Sequence, residues 1–170
     1  PTSYSEVEKE KLIHDYIVTH DKYDYDILNM DVSYGSALPH DWDAYGALIE
    51  GKSVCEGYTK LFQYLCYCVG INCTTVSGSG NGGEHMWDAV KIDNAWYMVD
   101  VTWDDNDYDL PVYSYFNITT KILSKDHIIN TDLAYPNCSA TTASFNANFA
   151  ITIENGKISS NYKIIIDRIA

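Results

Sequence analysis

The stretch from Ser53 to Gly70 constrains this chain most. Apolar residues recur at Val54, Tyr58, Leu61, Phe62, Leu65 and Val69, which predicts a helix with one buried face. Ser53 and Glu56 have the spacing of a capping box, and Gly70 supplies the stop. Cys55 then falls in the first turn. Unpaired backbone N–H groups and the helix dipole favour an anion there, so the thiolate is favoured over the thiol. A cysteine so placed is poised as a nucleophile, although a small buried side chain is an equally good reading of Cys55 by itself.

A nucleophilic thiol needs an imidazole to take and return its proton, and a third group to orient that imidazole. The segments His85–Ile92 and Trp96–Trp103 read as strands joined by a two-residue turn at Asp93-Asn94. That turn pairs Ile92 with Ala95, and the same register sets His85 opposite Thr102 and Trp87 opposite Asp100. His85 and Asp100 become diagonal neighbours on one sheet face, about 7–8 Å apart at the backbone. A turn one residue longer would send them to opposite faces. Asp100 is also a carboxylate in an apolar strand, a setting that calls for a partner. Trp87 and Trp103 flank this candidate site, as a substrate wall or as core filling.

The remaining elements are plainer. Ser5–His20 reads as an amphipathic helix with a Ser5/Glu8 capping box and an apolar side of Val7, Leu12, Ile13, Tyr16 and Ile17. Residues 21–37 look irregular, and a short helix from Asp43 ends near Gly51. Ile71–Ser77 is a strand; Gly78–Gly83, with four glycines, reads as a flexible loop or a lid beside His85. Val112–Ile118 is a further strand, and Ser124–Asn130 a weak helix or loop around His127, which reads as structural or as lining the site. A hairpin around Asn155-Gly156 closes the chain. Composition turns small and polar near Thr141–Ser144, which divides a domain at 1–143 from a hairpin extension at 144–170, a possible junction to further domains.

Bulk properties exclude several functions. With 170 residues, 46 % of them hydrophobic, the chain can bury a full core. A formal net charge of −13 argues against nucleic acid as a partner and against an anionic membrane surface. No apolar run approaches the ~18 residues of a membrane-spanning helix, so no membrane insertion is expected of this segment. Of the five cysteines, Cys66, Cys68 and Cys73 read as buried small hydrophobes. Cys66-x-Cys68 points its sulfurs to different faces, so no metal site and no cofactor is expected. The acidic run Asp105–Asp109 opens like a calcium loop but has Leu110 and Phe116 where glycine and glutamate belong. Asn72, Asn117 and Asn137 stand in sequons, which arise readily in a chain rich in Asn and Thr.

The string Ser53-Val54-Cys55-Glu56-Gly57-Tyr58 resembles the nucleophile motif of the transglutaminase-like superfamily. His85-Met86-Trp87-Asp88-Ala89-Val90 resembles its histidine strand, and Asp100-Val101-Thr102-Trp103-Asp104 its aspartate strand. The likeness, closest to bacterial cell-surface members, extends over residues 6–142 and takes in Tyr45-Gly46-Ala47-Leu48, Tyr115-Phe116-Asn117 and Asp126-His127. It implies an α+β, papain-like core in which the nucleophile helix packs on an antiparallel sheet. It also implies roles: Cys55 as nucleophile, His85 as base and then acid, Asp100 as orienter. The expected activity is a thiol enzyme that acts on a protein or peptide substrate, cell-wall-associated ones included, by hydrolysis or amine transfer. The expected setting is extracellular or at the cell surface. The Cys55 backbone N–H is one oxyanion donor; Tyr45 or Trp42 is a candidate for a second, in place of the upstream Gln that this chain lacks. A binding module that keeps the fold without turnover is the alternative.

Overall fold

The protein is described by a computed structural model. It describes residues 4–27, 39–106 and 110–149, with the backbone alone at 151–154 and 157–160. The fold is α+β: a curled antiparallel sheet with helices packed against it. Helix α1 spans Glu6–His20 and α2 spans Cys55–Cys68. Strands β1 (Asn72–Gly80), β2 (Gly83–Ile92) and β3 (Ala95–Val99) follow. After them come α3 (Val101–Asp104), α4 (Thr120–Leu123), β4 (His127–Ile129) and α5 (Phe145–Phe149). The sheet order is β3-β2-β1-β4, and β5 (Ile151–Glu154) pairs with β6 (Lys157–Ser160) in a separate hairpin. The remainder of the expected last strand lies outside the described residues.

Helix α1 starts on the predicted box: Glu8 N–H donates to Ser5 Oγ, and the Glu8 carboxylate accepts from the Ser5 backbone. Its buried face is rotated from the expected one. Glu10, His14 and Val18 face inwards with Val7, Ile13 and Ile17, whereas Leu12 and Tyr16 are exposed. Polar side chains hold inward positions there because partners from distant segments wait for them.

Helix α2 buries Tyr58, Leu61, Phe62 and Cys66 in the main core, roughly 1.5–3 kcal/mol for each large side chain. Its cap differs from the expectation. Val54 is the N-cap residue and provides no side-chain hydrogen bond. Ser53 Oγ instead donates to the buried Asp21 Oδ2 at 2.5 Å, and Glu56 pairs with Lys60 one turn on. Ser53 thus ties the helix entry to the end of α1. Gly57 lets this corner close, since a Cβ there would sit 2.5 Å from Ser53 Cβ and 2.7 Å from the Asp41 carbonyl oxygen.

The glycine segment is not a loop. Gly78 and Gly80 belong to β1 and Gly83 to β2, joined by a tight turn at Asn81-Gly82 with φ of 51° and 81°. The β2–β3 register is the predicted one, Ile92 opposite Ala95 through Asp88 opposite Val99. The ladder then stops early. Asp100 leaves the sheet and caps α3, its Oδ1 accepting from Trp103 N–H at 3.1 Å. The expected strand at Val112–Ile118 reduces to one bridge, Ile118 to Met98. His127, expected in a helix or loop, opens β4. The Phe149 side chain, expected in the last hairpin, ends α5 and reaches the main core.

Candidate active site

Three elements converge at the open end of the sheet. Cys55 sits in the first turn of α2, partly exposed and unpaired with any other sulfur. His85 comes from β2 and lines the same groove as Cys55, close enough for the thiol to influence the charge of the imidazole. Asp100 stands at the β3–α3 junction, wholly buried, and its Oδ2 lies 2.7 Å from His85 Nε2. The imidazole and the carboxylate meet, but not as the predicted diagonal pair of a continuous ladder: pairing ends at Asp88 opposite Val99, and Asp100 reaches His85 from the β3–α3 junction. The capping role of Asp100 Oδ1 fixes the carboxylate plane, which leaves Oδ2 free to face the imidazole.

Charge follows from these contacts. Burial pushes the His85 imidazolium towards losing its proton, but the hydrogen bonds and charges of Asp100 and Cys55 outweigh it and raise the His85 pKa to about 9. Burial pushes the Asp100 carboxyl up; hydrogen bonds from His127 and His85 more than offset it and hold Asp100 below the usual carboxylate range. The site thus favours an ionised carboxylate under a protonated imidazole, the partner that a thiolate needs.

Aromatic rings enclose the pair. Trp103 stacks on His85 with centroids 5.3 Å apart, while Trp87, almost fully buried, lies beneath at 5.8 Å. Gly80 permits this, because a Cβ there would sit 2.7 Å from Trp103 Cζ2. Two cavities open on either side. One of about 900 Å³ is lined by Trp42, Cys55, Glu56, Glu84, His85 and Met86, among others. The second, of about 460 Å³, includes His85, Thr102, Trp103 and Asp105. Tyr23 and His85 border both.

One residue at the site, Tyr23, was not singled out from sequence. Tyr23 lines the same groove as Cys55 and lies close enough to interact with its backbone and its thiol. Burial, then the nearby Cys55 charge, push its pKa up to about 12, so it stays a donor. Tyr45 is half exposed against His40, and Trp42 lines the groove beside Cys55. Tyr23 lies in a stretch rich in Asp and Tyr with no periodicity; its bridge to Ser53, 30 positions away, is what aims it. His127, read from sequence as structural or as lining the site, is buried with Nε2 3.0 Å from Asp100 Oδ2. His85, Asp100 and His127 present ligand atoms within 4.8 Å of one another, close enough for a cation. Both imidazoles, however, already hydrogen-bond the same carboxylate oxygen.

The comparisons agree with this architecture. The model of the transglutaminase-like superfamily matches residues 2–101. The chain belongs to that superfamily. It is similar to the kyphoscoliosis peptidase of Mus musculus, 30 % identical over 116 residues that make up 59 % of this chain and 16 % of the relative. It is 38 % identical over 64 residues to the kyphoscoliosis peptidase of Homo sapiens, covering 31 % of this chain and 10 % of that one. The chain thus spans only a small part of these relatives' lengths. A solved structure described as a TGase shares the fold, with a TM-score of 0.52 and 20 % identity over 68 % of this chain and 31 % of that one.

Proposed function

We propose that this domain is a thiol enzyme that cleaves or transfers peptide and protein amide groups through Cys55, His85 and Asp100. The observation that carries the reading is a single imidazole bonded to a buried ionised carboxylate and set beside a thiol at a helix N-terminus, at the edge of an open groove. The Cys55 thiolate attacks a carboxamide carbon. The oxyanion that forms is met by the Cys55 N–H and by the Tyr23 O–H. His85 gives its proton to the departing nitrogen as the C–N bond breaks, which leaves a thioester. Water or a second amine then attacks that thioester, with His85 taking the incoming proton and Cys55 leaving as thiolate. Asp100 holds the imidazole in the tautomer this needs. Residence at a cell surface, with a protein or peptide substrate, is part of this proposal.

The test is incubation of the domain with a glutamine-containing protein and a labelled primary amine, read by mass spectrometry. An amine adduct defines a transferase, conversion of amide to acid a deamidase, and chain cuts a protease. Cys55→Ala should abolish whichever is seen while the fold persists. Activity that survives the substitution sinks the reading, whereas a wild type without turnover whose Cys55 labels with iodoacetamide like a free thiol favours the binding module.

A further inference from the structure

We propose that His127 is a positioning residue for the Cys55–His85 pair, which acts through Asp100 to set how firmly His85 holds its second proton. The inference rests on the thiol-enzyme reading and adds a fourth side chain to it.

Asp100 Oδ2 is shared. His85 Nε2 lies 2.7 Å from it and His127 Nε2 3.0 Å from it. The other ring nitrogen of His127, Nδ1, is 2.7 Å from Asp126 Oδ1, and Asp126 Oδ2 accepts from the Tyr115 hydroxyl at 2.8 Å. Both ring nitrogens of His127 therefore face carboxylates. The titratable groups around it are Asp100, Asp126, His85 at 5.5 Å and Tyr115 at 5.4 Å between ring centroids. Neutral indoles cover it, Trp103 at 4.1 Å and Trp87 at 5.0 Å. Burial pushes the Asp126 carboxyl up, but hydrogen bonds from His127 and Tyr115 more than offset it, so Asp126, like Asp100, is held ionised. A neutral ring would turn one lone pair towards an ionised oxygen. A proton on each nitrogen satisfies both contacts.

A cation on the far side of Asp100 competes with His85 for its charge. That weakens the grip of Asp100 on the His85 proton and eases its delivery to a leaving amine. It also pins Asp100 Oδ2 from a second direction. Asp126 belongs to the same device, because its charge keeps the proton on His127 Nδ1.

Asp126→Asn decides the matter, since its side chain is 39 % exposed and asparagine keeps an acceptor for the Tyr115 hydroxyl. Long-range electrostatics alone predicts that loss of an anion lowers the pH at which His85 deprotonates. Loss of the His127 cation predicts a rise of about one pH unit, the scale on which one close charge moves a titration. The His85 midpoint is read by NMR of the histidine side chains in the wild type, Asp126→Asn and His127→Gln, with iodoacetamide labelling of Cys55 against pH in the same samples. An upward shift in Asp126→Asn, matched in His127→Gln where that variant folds, supports the proposal. No shift or a downward shift in Asp126→Asn overturns it, whatever the fate of the His127 variant. A wild-type Cys55 that labels like a free thiol, near the ~8.5 of free cysteine, fails the underlying reading instead.

Discussion

Two chains of polar side chains run inwards to the two ends of α3, and they differ in one histidine. In the first, the Tyr113 hydroxyl donates to Asp15 Oδ1 at 2.9 Å, Asp15 lies 3.3 Å from His14 Nδ1, and His14 Nε2 lies 3.1 Å from Asp104 Oδ2. In the second, Tyr115, Asp126 and His127 lead in the same order to Asp100. The first stops in the core. Among the described residues, the Asp104 carboxylate takes only His14 and the Tyr115 backbone N–H, and burial keeps its carboxyl above the usual range despite them. Asp100 is just as buried, yet its carboxyl is held low, because His127 and His85 both reach it. A buried His–Asp contact is thus not in itself a catalytic feature. What sets the second chain apart is its continuation through His85 to a thiol and an open groove.

The comparison breaks most visibly under loss of each histidine. His85→Ala should lower turnover of an amide substrate by about 10²–10⁴, the usual worth of a general acid–base. Its cost in stability should be small, because Asp100 keeps His127 and the Trp103 N–H as partners. His14→Ala strips Asp104 of its charged partner inside the core. It should cost about 3–5 kcal/mol in urea unfolding and leave activity per folded molecule near the wild-type level. Equal activity losses in the two variants would erase the distinction between the chains.

Much of the second chain was legible in the sequence and almost none of the first. Hairpin register is local: a two-residue turn fixes the parity of every residue on both strands, so His85 and Asp100 could be set on one face from letters alone. The family motifs added the thiol. His14 and Asp104 are 90 positions apart, and an inward-facing histidine on α1 looks like a break in an apolar face. The expected capping box at Ser53 failed for a related reason. Its spacing was right, but Asp21, 32 residues upstream, offered the hydroxyl a buried carboxylate. Tyr23 is likewise aimed by a distant bridge. The α3 helix went unseen because Val101-Thr102-Trp103 continues a β-branched, aromatic run, and the Asp100 cap overrode that propensity.

A second break falls in the surroundings of the sealed chain. Glu10, one helical turn before His14, is fully buried, and burial pushes its carboxyl up to about 8; the Asn117 hydrogen bond and the His14 charge only partly offset this. A folded pKa raised above an unfolded value near 4.5 favours the folded state below pH 4.5 and loses that contribution as pH rises through about 8. Glu10→Gln keeps an acceptor for Asn117 Nδ2 and removes the ionisation. Between pH 5 and 8 the wild type should lose on the order of 3 kcal/mol relative to the variant in urea unfolding. Parallel pH profiles would mean that Glu10 is neutralised by some other route.

The smallest effect sharpens the comparison at the outer ends of the chains. Asp15 and Asp126 hold the same place, but Asp15 is also 2.5 Å from Lys11 Nζ. Burial pushes the Asp15 carboxyl up, and His14 and Lys11 more than offset it, so its pKa is lowered. A lowered carboxylate contributes stability that is present above its unfolded pKa and is lost as pH falls through its folded one. Asp15→Asn should therefore cost about 0.5–1 kcal/mol at neutral pH, less in high salt, and nothing once the wild-type carboxylate is protonated. Because this chain ends at Asp104, the substitution should leave the His85 midpoint where it was. A shift of His85 in Asp15→Asn equal to that in Asp126→Asn would show the two chains coupled through α3, and the separate behaviour argued for them would not stand.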